Sequence, residues 1–168
     1  MSQKLKDNEA SPEVQAAALG SRVAATADDI SDFDERIRRA LSAAAEKKAL
    51  DLTVLDLRGI ASFTDFFVIT TGTNRRQCQA ISDGVVEQLK RSGTRAARVE
   101  GFQTAEWILV DYGDFVVHVF DEKARRFYDL ERLWREARRI DVSPEQLGSE
   151  ISDFKSEISS LTSEKSDL

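Results

Sequence analysis

Residues 107–134, WILVDYGDFVVHVFDEKARRFYDLERLW, constrain the fold more than any other part of the chain. Two apolar runs, 107–112 and 115–120, flank a turn at Tyr112-Gly113-Asp114, a pattern that reads as a β-hairpin. A helical pattern carrying Phe127, Tyr128, Leu130, Leu133 and Trp134 follows at once. Both tryptophans, both tyrosines and the only histidine of the chain fall within these 28 residues. Aromatics and an imidazole concentrated in this way are what a binding surface needs, and a β-core would use most of them too.

The other elements arrange themselves around this segment. Ser31 or Asp32 is a competent N-cap with an acid three residues on, and the helix it opens runs to about residue 48. Its apolar face is Ile30, Phe33, Ile37, Leu41 and Ala44. Residues 52–57 form a short strand, Gly59 and Ser62 lie in a turn, and residues 65–71 (DFFVITT) form a second strand. That second strand is apolar on both faces, which places it centrally in a sheet. Gly72-Thr73-Asn74 opens a second helix, which carries Cys78, Ile81, Val85 and Leu89 on one stripe and ends at Gly93. Residues 96–101 supply a third strand, the hairpin a fourth and a fifth, and a helical segment over 122–139 breaks near Asp129. The order α-β-β-α-β-β-β-α predicts a single α/β domain, with a mixed five-stranded sheet flanked by helices.

A chain of 168 residues is long enough to bury a core without disulfides or metal. One cysteine, Cys78, rules out an internal disulfide, and with no secretory or transit signature the default location is the cytoplasm. No apolar run reaches the roughly 20 residues of a membrane span. The net charge of −6 sits at the ends: residues 1–30 carry three basic and five acidic groups, and 141–168 carry two and seven. The stretch between them is thus left at about +1, without the basic excess of a bulk RNA or DNA binder. Residues 1–30 read as a mobile tail, 31–140 as the domain, and 141–168 as an acidic tail. Within that tail, Ser143-Pro144-Glu145-Gln146 is a helix start. Leu147, Ile151, Phe154, Ile158 and Leu161 then follow as a narrow apolar stripe, compatible with an appended amphipathic helix or with pairing of two copies.

Few residues offer chemistry. His118 lies amid valines and shares a strand face with Val116 and Phe120, while Val117 and Val119 point to the other side. With one His and one Cys, on separate elements, no ordinary zinc site can be built, and Cys78 reads as a small core hydrophobe. Gly72-Thr73-Asn74, with Arg75 and Arg76 beside it, could receive a phosphate at a helix start, although Thr73 or Asn74 as a plain N-cap is the simpler reading. Asp56, Asp65, Asp111 and Asp114 lie at strand ends, where metal-binding carboxylates of nucleotide-transfer enzymes sit, but turn chemistry alone favours Asp at such places. A metal-dependent nucleotidyltransferase using Asp56, Asp65 or Asp111 is the alternative reading.

Six motifs together carry a more specific signal. They are 63–69 (FTDFFVI), Gly72-Thr73, Val99-Glu100-Gly101, 107–114 (WILVDYGD), 116–120 (VVHVF) and 127–134 (FYDLERLW). In order and spacing they resemble the ribosomal silencing factor (Iojap) family over about residues 35–140, leaving out both tails. The resemblance implies a fold distantly like nucleotidyltransferases but without their catalytic equipment: no enzyme, no metal and no cofactor. It implies a factor that binds the large ribosomal subunit through ribosomal protein fourteen, blocks joining with the small subunit and lowers translation under nutrient limitation. Carried to matching positions, the partner-binding residues would be Trp107, Asp111, Tyr112, Asp114, His118, Tyr128 and Glu131. On this reading aromatic anchors supply affinity, while Asp111, Asp114 and Glu131 steer toward a basic protein. A homodimer through an exposed sheet edge is compatible with it.

Overall fold

The computed structural model describes residues 22–148 together with 156, 159 and 160. Seven strands form one mixed sheet in the order β1-β7-β2-β3-β6-β5-β4. They are β1 (Arg22–Ala24), β2 (Leu50–Asp56), β3 (Phe66–Gly72), β4 (Arg98–Glu100), β5 (Trp107–Asp111), β6 (Phe115–Asp121) and β7 (Arg138–Asp141). β3 is the middle strand, antiparallel to β2 and parallel to β6, in keeping with its apolar character on both faces. The predicted hairpin is β5–β6, with Leu109 opposite His118.

Two strands more than the expected five are present, and both lie where periodicity has no purchase. β1 is three residues long, inside the stretch expected to be a mobile tail, and exists through its parallel pairing with β7. β7 occupies the end of the segment expected to be helical. Its antiparallel register with β2 and the burial of Ile140 override the helical preference of an Arg-rich run. The first helix is likewise two: α1 (Ala27–Asp32), capped by Thr26 and Asp29 in a reciprocal capping box, and α2 (Glu35–Glu46), capped by Asp34. Asn74 caps α3 (Arg75–Arg91) by accepting from the Gln77 N–H. The final helical segment breaks at Asp129, in left-handed conformation (φ 45°, ψ 60°), between α4 (Glu122–Tyr128) and α5 (Leu130–Leu133).

The two faces of the sheet are covered unequally. α2 and α3 lay Ile37, Leu41, Ala44, Ile81, Val85 and Leu89 on one face, against Val54, Val68, Val110, Val117 and Val119. The opposite face, built on Leu55, Phe67, Ile69, Val116 and Phe120, receives only Ala124 of α4 and Leu130 of α5, with Ala137. The packed unit also exceeds the expected 31–140. Ala25 N–H donates to the Asp141 carbonyl at 2.8 Å, and Leu147, in a short 3₁₀ helix over Pro144–Leu147, is fully buried on the α2 side. Of the predicted tail stripe, Ile151, Phe154, Ile158 and Leu161 lie outside the described residues.

Candidate functional site

α4 and α5, eleven residues in all, and the loop before β3 carry large apolar side chains that stay in solvent on this side of the sheet. Phe127 is 78% exposed, Leu133 70% and Phe63 60%, with Tyr128 about half exposed. A chain of aromatic rings, exposed at its ends and buried at Phe67, His118 and Phe120, runs from Phe63 to Phe127. Phe63 lies 5.9 Å from Trp134, Trp134 6.0 Å from Phe67, and Phe67 4.4 Å edge-on from His118. Trp107 then stacks obliquely between Phe120 (5.0 Å) and Tyr128 (4.6 Å), and Tyr128 meets Phe127 at 5.0 Å. Large apolar side chains exposed together in this way mark an interaction site.

Trp107 is held from beneath. Its indole N–H donates to His118 Nδ1 at 3.0 Å, so the imidazole proton sits on Nε2. Burial disfavours the charged ring and holds the His118 pKa down at about 3, against a weak opposing pull from Asp111. His118 is therefore a neutral acceptor that orients Trp107, not a titrating catalyst near neutrality. From behind, Gly101 (φ +77°) passes so close to the Trp107 carbonyl that a Cβ would collide with it.

The seven residues carried over from the resemblance separate in space. Trp107, His118 and Tyr128 come together on the aromatic face. Asp111 lies at the end of the same strand and is already engaged, bonded to Arg98 at 3.2 Å and to the Gly113 N–H at 2.8 Å. Glu131 faces inward to Arg125 at 2.6 Å. Tyr112 belongs to the helix-covered core, stacked on Phe115 at 4.8 Å, where burial pushes its phenol up to about 12. Asp114 is gripped by Arg36 of α2. Phe63, Phe127, Leu133 and Trp134 complete the face without having been assigned to it from sequence. Phe63 carried a usable signal, as a large apolar residue directly after a Gly59–Ser62 turn.

The carboxylates of the alternative reading are not gathered. Asp56 is bonded to Arg58 at 2.7 Å and 3.0 Å, Asp111 to Arg98, and Asp65 stands exposed. Among the described residues no three His, Cys, Asp or Glu side chains are grouped to hold a metal ion. At the Gly72 turn, Gln77 Oε1 accepts the Thr73 N–H at 2.7 Å and Asn74 Oδ1 accepts the Gln77 N–H at 2.9 Å. Two of the backbone donors at this helix start are thus taken by side chains of the helix itself. Glycine is needed there because a Cβ would lie 2.6 Å from Cys78 Sγ.

Comparison with known proteins bears on the family and the fold. A sequence model described as "Ribosomal silencing factor during starvation" matches residues 30–167, extending through the acidic segment that the six motifs left out. The chain is 40% identical over 106 residues to Ribosomal silencing factor RsfS of Bacillus subtilis, covering 63% of this chain and 90% of that one. It is 31% identical over 108 residues to a mouse protein named Mitochondrial assembly of ribosomal large subunit protein 1, covering 62% of this chain and 47% of that one. A crystal structure of a Chromobacterium violaceum protein superposes with a TM-score of 0.57 at 34% identity, covering 66% of this chain and 87% of that one. Among the described residues no helix is long and apolar enough to cross a membrane. With its motifs, its mixed sheet and the match over residues 30–167 in agreement, the chain belongs to the ribosomal silencing factor family.

Proposed function

We propose that this protein represses translation by binding the large ribosomal subunit, through ribosomal protein fourteen, and blocking its joining with the small subunit when nutrients are limiting. The observation that carries this reading is the uncovered aromatic face, with Trp107 and Tyr128 at its centre and Phe63, Phe127 and Leu133 around them. Large rings held rigidly at low entropic cost are the anchors that dominate protein–protein affinity. The family supports a ribosomal partner, and the mouse relative's name points to the large subunit. The charges act differently from the sequence expectation. Asp111, Asp114 and Glu131 each hold an arginine of the same chain, so affinity rests on the apolar centre rather than on acids steering toward a basic partner. Action in the cytoplasm follows from the same reading.

Co-sedimentation of the purified protein with isolated large subunits tests it. Wild type is expected to pellet with the subunits and to deplete joined ribosomes, and a pull-down on ribosomal protein fourteen alone should succeed. Replacing Trp107 and Tyr128 together by Ala should abolish all three effects. Wild type that stays in the supernatant would overturn the function, and binding that survives the double replacement would overturn the site.

A further inference from the structure

Beneath the exposed corner formed by α4 and α5 lies one guanidinium with five hydrogen bonds. Arg125 donates from Nε and Nη2 to Glu131 Oε1 at 2.9 Å and 2.6 Å, from Nη1 to the Asp51 carbonyl at 2.8 Å and Thr71 Oγ1 at 3.0 Å, and from Nη2 to Thr53 Oγ1 at 3.3 Å. The side chains of Arg125 and Glu131 are only 11% and 10% exposed. The acceptors come from three separate elements: β2, β3 and α5. β2 is distorted to supply one of them. Its register slips between Leu50 and Thr53, and Asp51 adopts φ +50°, a left-handed conformation uncommon for a non-glycine residue.

The corner needs such an anchor. Helices of seven and four residues have no stability of their own in water, and Ala124 and Leu130 are the only residues of α4 and α5 buried against the sheet. The corner nevertheless presents Phe127, Tyr128 and Leu133. We propose that Arg125 is a positioning residue for the partner-binding face: through Glu131, Thr53, Thr71 and the Asp51 carbonyl it fixes the α4–α5 corner on the sheet, and thereby the pose of Tyr128 against Trp107. Glu131 then serves binding from inside, as the second half of this clamp, and not by touching the partner. The proposal rests on the ribosome-binding reading above.

The test compares full-length Arg125→Gln, Arg125→Lys and Glu131→Gln with Leu147→Ala, a destabilised control whose altered side chain lies on the opposite face of the sheet. At a temperature where every variant is folded, Arg125→Gln and Glu131→Gln should lower large-subunit affinity at least tenfold. Leu147→Ala should bind as wild type, and Arg125→Lys should recover part of the loss by keeping a cation beside Glu131. Hydrogen exchange on the free protein gives a second readout that needs no ribosome. Amides of residues 126–134 should exchange at least tenfold faster in Arg125→Gln than in wild type, while those of β5 and β6 stay unchanged. Unaltered exchange over 126–134, or unaltered affinity with wild type binding, would overturn the clamp. Faster exchange with wild type itself failing to bind would leave the clamp standing and remove the ribosome reading. Should Arg125→Gln not fold, the isosteric Glu131→Gln carries both measurements.

Discussion

His118→Phe should flatten the acid side of the stability curve. In the folded chain His118 is 3% exposed with a pKa near 3, whereas in the unfolded chain it titrates near 6.5. Below pH 6.5 the unfolded state therefore takes up a proton that the folded state refuses. The neutral imidazole contributes its full stability above that pH and loses it as the pH falls toward 3. At pH 5 the unfolded histidine is almost wholly protonated and the folded one almost wholly neutral, which removes about 2 kcal/mol relative to pH 7. The value is insensitive to the exact folded pKa, because any figure well below 5 gives the same difference. Phenylalanine fills the slot among Phe67, Phe120 and Trp107 without either buried nitrogen, one of which, Nε2, has no hydrogen-bond partner among the described residues. The Trp107 N–H, which points at this buried slot, loses its acceptor, at a cost of about 1–3 kcal/mol that is the same at every pH. Urea unfolding at pH 7, 6 and 5, followed by tryptophan fluorescence, should show wild type losing about 2 kcal/mol more than His118→Phe over that range. At pH 7 His118→Phe should be the less stable by no more than about 3 kcal/mol. The window stays above the carboxylates held low in the fold, such as Asp29 at about 2. Equal pH slopes for the two proteins would refute a buried neutral histidine.

Gly72→Ala should destabilise by about 1–3 kcal/mol, because its Cβ would sit 2.6 Å from Cys78 Sγ and 3.0 Å from the Cys78 nitrogen. Adding Cys78→Ala should restore part of this in denaturant titrations, and a single variant as stable as wild type would show that packing does not fix this turn. Tyr112→Phe removes a buried hydroxyl that has no hydrogen-bond partner among the described residues, so it should raise stability by about 1 kcal/mol or leave it unchanged. It should also leave large-subunit binding intact, since Tyr112 lies on the helix-covered side; a binding loss would place that residue in the interface after all.

The element order from α2 to α4 and the orientation of the hairpin were legible in the sequence because both follow from local spacing. Alternation alone put His118 with Val116 and Phe120 on one face and Val117 and Val119 on the other, and the structure keeps that division. The centrality of DFFVITT, the Asn74 cap and the break at Asp129 were readable for the same reason. What escaped depends on partners far away in the chain. β1 has no periodicity of its own and is a strand only through β7, more than 110 residues on. The fate of the acids was hidden for the same reason: Asp114 is taken by Arg36, 78 residues earlier, and no local pattern announces that pairing. Arg125 gives no local sign of its role, since its acceptors at Asp51, Thr53 and Thr71 are contributed by other strands.

The parallel pairing of β1 with β7 also has a bearing on the order of assembly. A hairpin such as β5–β6 closes across three residues and can form as soon as it is made, bringing Trp107 and His118 together early. Residues 22–24 can find their register only once residues 139–141 exist, with nearly the whole domain synthesised in between. The first of the described strands to be made is thus among the last to be seated. Until then one edge of the nascent sheet stays open, while the aromatic surface near its other edge is already in place.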